Sequence, residues 1–241
     1  MILEKLEDSF SDEYNKLVAY TNELKLSNPG SDVIINLSKD ALEEGIRRFL
    51  RMYICFQAMK FGFKNGLRPF IGLDGTFLKG KAKGQLLVVV GQDSANHFYL
   101  LAWAIIDKET KLTWKWFLGH MQTLLDLKMG KGITFISDMQ KGLIDSIQTV
   151  LPESHFRFYS VDKNLTESFN AWILQARHKP IIKMLEDIRI KVMNMINEHE
   201  AEVMTWGNEY SPKTMELYNQ FMRIALKCHI NGNADNGHEV T

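Results

Sequence analysis

Three carboxylates in this chain could do chemistry together: Asp74 in PFIGLDGTFLKG, Asp138 in GITFISDMQKGL and Glu167 in NLTESFNAWILQAR. Asp74 closes one apolar run, and Asp138 closes another 64 residues later (138 − 74). If those runs are neighbouring strands, the two carboxylates converge at one region of a sheet. Carboxylates held that close repel unless a cation lies between them. A pair of Mg2+ or Mn2+ ions about 3.5–4 Å apart is the usual answer, and it activates water and stabilises a leaving oxygen in phosphoryl transfer. Hard divalent cations take the oxygen ligands that Asp and Glu supply. Each residue also has a purely structural reading. Asp74-Gly75 suits a hairpin turn, and Asp138 could cap a helix starting near Gln140. Asn164-x-x-Glu167 has the form of a capping box.

The elements that must position these residues follow from hydrophobic periodicity. Residues 12–27 have helical spacing, stopped by Asn28-Pro29-Gly30. DVIINL is a short β-branched stretch, and DALEEGIRRFLRMYICFQAMKFGF reads as one long helix ending near Asn65-Gly66. The period then changes. RPFIGLD, QLLVVVGQD (85–93) and HFYLLAWAII (97–106) read as strands, the last two joined by a hairpin at Asp93-Ser94-Ala95-Asn96. A helix over 112–128 precedes a fourth strand, GITFISD. KGLIDSIQTVL is amphipathic at helical spacing, and SHFRFY (154–159) is a fifth strand. After about Asn164 the chain reads as helix, divided by Pro180 and restarted at Ser211-Pro212.

The order β-β-β-α-β-α-β-α makes the first three strands antiparallel and adds the fourth and fifth in parallel through helical crossovers. The expected class is α/β: an RNase H-like, mixed five-stranded sheet with helical N- and C-terminal flanks. The expected divisions are a helical region over 1–66, the core over 67–179 and a second helical region over 180–241.

Charge sets limits on partners. Lys and Arg number 29 and so do Asp and Glu, so no global field draws the chain to DNA. Phosphate contacts must then be local. Lys79, Lys81 and Lys83 of KGKAKG follow Asp74, and Arg177 and Lys179 end the stretch carrying Glu167. Their plain readings are a solvated turn and cations at a helix C-terminus. Cys55 and Cys228 have no ligand-like spacing, so neither a zinc site nor a disulfide framework is expected. MILEKLEDSF lacks the apolar segment of a secretory signal, and no run approaches the roughly 18 apolar residues of a membrane helix. An intracellular, soluble chain is expected. Trp103, Trp114, Trp116 and Trp172 read as core.

RMYICFQAMKFGF, PFIGLDGTFLKGKAKGQLLVVVGQD, LAWAIID, TWKWFL, TFISDMQKGL and NLTESFNAWILQARHKPI together resemble the Mutator-like (MULE) transposases of plants, from about Phe10 to Val240. Those are DDE enzymes of the RNase H-like class. The resemblance implies that Asp74, Asp138 and Glu167 are the metal-binding catalytic set, with Mg2+ or Mn2+ as cofactor. It further implies transposon-end and target DNA as partners, a homo-oligomer and a nuclear location. Two departures stand out. After HFRFYS the family's Cys-x-x-His pair and helical insert are absent, and so are its amino-terminal DNA-binding region and carboxy-terminal SWIM segment. A truncated catalytic core is therefore one expectation. The competing one is a decayed or domesticated copy that no longer cuts, like the light-signalling regulators of the far-red-impaired-response type. A generic RNase H-like nuclease is a third.

Overall fold

The computed structural model describes residues 16–45, 48–79, 83–138, 140–158, 164–228, 230–232 and 238–240, the backbone alone at 158, 164–167, 230–232 and 238–240. Helix α1 (16–27) buries Leu17 and Leu24. It is followed by β1 (Asp32–Leu37), α2 (Lys39–Glu43), β2 (Phe49–Cys55), α3 (Gln57–Asn65), β3 (Phe70–Phe77), β4 (Gln85–Gln92) and β5 (Phe98–Ile106). Next come α4 (Lys111–Leu124), β6 (Thr134–Ser137), α5 (Lys141–Val150), β7 (His155–Phe158) and α6 (Asn164–Trp172). A 3-10 turn (Ala176–His178) leads to α7 (Ile181–Val203) and α8 (Pro212–Ala225), then a small hairpin of β8 (Ile230–Gly232) and β9 (His238–Val240).

The main sheet runs β1-β2-β5-β4-β3-β6-β7. β3, β4 and β5 pair antiparallel, while β6 joins β3 and β7 joins β6 in parallel. Those five strands have the order and directions expected from the periodicity. The fold is α/β and RNase H-like. β4 and β5 read as unbroken apolar runs because both faces are covered: Leu86–Val90 and Leu100–Ala104 are all but inaccessible. Helix α4 covers one region with Trp114, Phe117, Leu118 and Met121, starting from a Thr110–Thr113 capping box.

The N-terminal region departs from expectation. Residues 49–55, read as part of one long helix, form β2. Met52 to Cys55 are four successive buried residues, which a two-faced sheet accommodates and a surface helix does not. Their partners are Ile105, Ala104 and Trp103 of β5, whose apolar edge would otherwise stand open. Among the described residues the sheet therefore has seven strands and continues across residue 66, so the first 66 residues are not a purely helical unit. Farther on, Ser211 caps α8 by accepting the Thr214 N–H, with Pro212 in the first turn, as the sequence indicated. No described helix is long and apolar enough to cross a membrane. Cys55 and Cys228 are both free thiols.

Candidate carboxylate site

Asp74 does not end its strand. β3 continues to Phe77, with Gly75, Thr76 and Phe77 paired to Leu87, Leu86 and Gln85, so Asp74-Gly75 is strand and not turn. β6 is shorter and stops at Ser137. Its parallel register sets Phe70 beside Thr134, Ile71 beside Phe135 and Gly72 beside Ile136. Each pair is offset by 64 (134 − 70), and the same offset carries Asp74 onto Asp138. The spacing of the two aspartates thus equals the offset of the paired residues, with Asp138 one residue past the end of β6. Asp138 is exposed, and its Oδ1 accepts the Gln140 N–H at 3.2 Å. The cap of α5 is Gln140 itself, whose Oε1 accepts the Leu143 N–H at 2.6 Å.

Asp74 is half-buried and bonded on both oxygens. Oδ1 accepts the Gly75 N–H at 2.9 Å, and Oδ2 accepts Nδ2–H of Asn170 at 2.6 Å. Burial nevertheless pushes its carboxyl up to about 6; the two hydrogen bonds oppose that rise, and the negative charges of Asp138 and Glu109 add to it. Like charges gather here, each disfavouring the ionised form of its neighbours.

Glu109 was not anticipated. It lies in the connection between β5 and α4, at the end of the sheet where Gln85 pairs with Phe77 and Ile106. Its Oε1 accepts the Trp114 indole N–H at 2.9 Å and its Oε2 accepts Nε2–H of Gln85 at 3.3 Å. Burial raises the Glu109 carboxyl too, with Asp138 adding to the effect. A Cβ at position 75 would stand 2.8 Å from Glu109 Oε2, which accounts for the glycine after Asp74. In DKETKLTW the glutamate looks like any polar loop residue. The one available hint was Trp114, a buried indole that needs an acceptor.

Glu167 lies on α6, and its side chain is outside the described residues. One turn later Asn170 makes the bond that ties α6 to this strand, and Phe169 beside it is buried. Arg177 is a correction. Expected as a surface contact to phosphate, it is only 8 % exposed and donates from Nη1 to the Thr76 hydroxyl. Ala176 and Arg177 are the buried residues of the 3-10 turn. Its guanidinium lies within the field of Asp74. Lys79 and Lys83 are exposed, and Lys81 falls outside the described residues. The Lys79 N–H donates to the Arg177 carbonyl at 2.9 Å, tying the end of β3 to the turn. Lys179 is exposed and ion-paired with Asp187 of α7.

Among the described residues no three His, Cys, Asp or Glu side chains are disposed to hold a metal ion. Asp74 and Asp138 are nevertheless hard oxygen donors on one register line, with repulsion that a divalent cation would relieve, so the donor set fits Mg2+ or Mn2+.

Residues 70–160 match the MULE transposase domain. The match begins at β3, includes Asp74 and Asp138, and ends just after β7. The Mos1 transposase catalytic domain, solved with raltegravir and Mg, aligns with 55 % of this chain and 75 % of that one, at 12 % identity and a TM-score of 0.34. No curated protein matches the chain.

Proposed function

We propose that the chain carries the catalytic core of a DDE transposase that cuts and joins DNA with the help of Mg2+ or Mn2+. The observation that supports this reading is the β3–β6 register, whose offset of 64 equals the spacing of Asp74 and Asp138 (138 − 74), within the segment matching the transposase domain. Asp74 and Asp138 would share a cation, and Glu167, carried one turn before Asn170, would complete the set. A bound divalent cation supplies charge neutralisation and activation of water at the scissile phosphodiester. The chain's own residues do the rest. β3 carries Asp74, the end of β6 leads directly into Asp138, and Asn170 aims the Asp74 carboxylate. Arg177 supplies positive charge behind Thr76, and the exposed Lys79 and Lys83, with Lys81 between them in sequence, would serve as phosphate contacts. The reaction would be phosphodiester hydrolysis followed by attack of the freed 3′-hydroxyl on target DNA. The setting would be the nucleus of a plant cell.

A second reading is a copy that no longer cuts and serves as a DNA-associated regulatory protein. The observation that favours it is the 2.6 Å bond from Asn170, which already occupies Asp74 Oδ2. Calorimetric titration with Mn2+ separates the two. The first reading expects near-micromolar binding that weakens at least tenfold, about 1.4 kcal/mol, in Asp138→Asn. Absent binding, or binding indifferent to that substitution, leaves the second.

A further inference from the structure

Helix α8 has no buried residue, although its 14 residues are strongly amphipathic. Leu217, Tyr218, Phe221, Met222 and Ile224 are between 38 % and 66 % exposed. A lone helix of this length is marginal in water, and most helical stability comes from packing an apolar face. Something must cover this one.

The order of residues along α8 points to what does. Laid out at about 100° per residue, the apolar side chains are symmetric about the midpoint between Asn219 and Gln220. The small residues Thr214 and Ala225 mark the centre of the face. Tyr218 and Phe221 flank that centre, Leu217 and Met222 lie outside them, and Met215 and Ile224 form the borders. The charged side chains Lys213, Glu216 and Arg223 fall on the opposite side, where Lys213 and Gln220 both donate to Glu216. Turning the helix end for end about that midpoint lays aromatic on aromatic, aliphatic on aliphatic and small on small. That is the self-complementarity of an isologous two-fold contact.

We propose that α8 is a dimerisation helix that packs antiparallel on α8 of a second copy of this chain. Burying the exposed portions of these side chains in both copies removes roughly 1,000 Å² in total, using the size of aromatic side chains as a guide. This is the lower range of specific interfaces, so the dimer dissociates on dilution. The helix starts at a fixed point, because Ser211 also donates from its hydroxyl to the Ser94 carbonyl at the β4–β5 turn. The inference does not depend on whether the carboxylates are catalytic.

Sedimentation of the full chain tests it first. A dimer at about 50 μM that dissociates toward monomer below about 1 μM is expected for an interface of this size. A monomer throughout overturns the proposal, and so does a dimer unchanged in Tyr218→Glu/Phe221→Glu. Orientation is tested by cysteine pairs in a Cys228→Ser background. Residues 214 and 225 are about 16 Å apart along one helix, too far for a disulfide within a chain. Oxidation of Thr214→Cys/Ala225→Cys should give a covalent dimer, while neither single variant does. Cross-linking of the single variants would mean a parallel contact and would overturn the antiparallel one. Circular dichroism confirms that each variant is folded.

Discussion

At residue 75 the backbone runs so close to a carboxylate that a methyl group has no room. The Glu109 carboxylate is held there by Trp114 and Gln85, so it cannot simply swing away. Gly75→Ala should destabilise the chain by about 1–2 kcal/mol through overpacking, measured by urea unfolding. Adding Glu109→Ala should recover part of the loss, because residues in contact are not additive. Arg177 is a second such residue. Arg177→Ala removes a buried cation from Thr76 and Asp74 and should cost about 2 kcal/mol, in the range for a hydrogen bond to a charged group. Lys79→Ala, at the surface, should be near neutral for stability. The sequence placed Asp74 and Asp138 after apolar strand runs, and Asp138 does follow β6 directly while Asp74 lies inside β3. Glu109, Asn170 and the inward turn of Arg177 were not legible, because each depends on a contact between segments distant in sequence.

The C-terminal part of α7 meets the β4–β5 turn through an imidazole pair. His97 and His199 stack with ring centroids 4.3 Å apart, and His97 reaches Asp93 and Glu202 at 3.0 Å each. Nδ1 of His199 is buried without a partner, and the Tyr99 ring stands edge-on to it. Burial and the neighbouring His97 hold His199 below the ordinary imidazole range, against the pull of Asp93, Glu202 and Glu198. A histidine whose folded pKa is depressed stabilises the fold above its unfolded value, about 6.5. That contribution is lost as pH falls through 6.5 toward the folded value. Thermal melts between pH 8 and 5 should therefore drop more steeply for the natural chain than for His199→Phe. Equal slopes would mean that the stacked pair does not report on acid. Most element types were legible here, and Ser211-Pro212 marked its helix start correctly. β2 was not, since an apolar run of that length satisfies both helical and strand periods.

Across the whole molecule, the five central strands were readable from the alternation of periods, because crossovers and hairpins leave few ways to connect them. The two added strands were not, because nothing local in DVIINL or RFLRMYIC says which edge they join. Their place has a consequence for folding. β2 seals β5, so a chain beginning at Gln57 would expose the Trp103–Ile105 edge. Such a chain should aggregate on a sizing column where the complete chain does not.

The shared offset of β3 and β6 works like an index between two rulers laid side by side. Residues may be gained or lost in the connection from 125 to 133, between α4 and β6, without disturbing the index, since that stretch lies outside the strands. One residue lost within Thr134–Ser137 shifts it by a full notch and turns every later side chain of that strand to the other face. What must be kept in a lineage of such chains is therefore an alignment in space, and the count of residues between the two aspartates is free to drift.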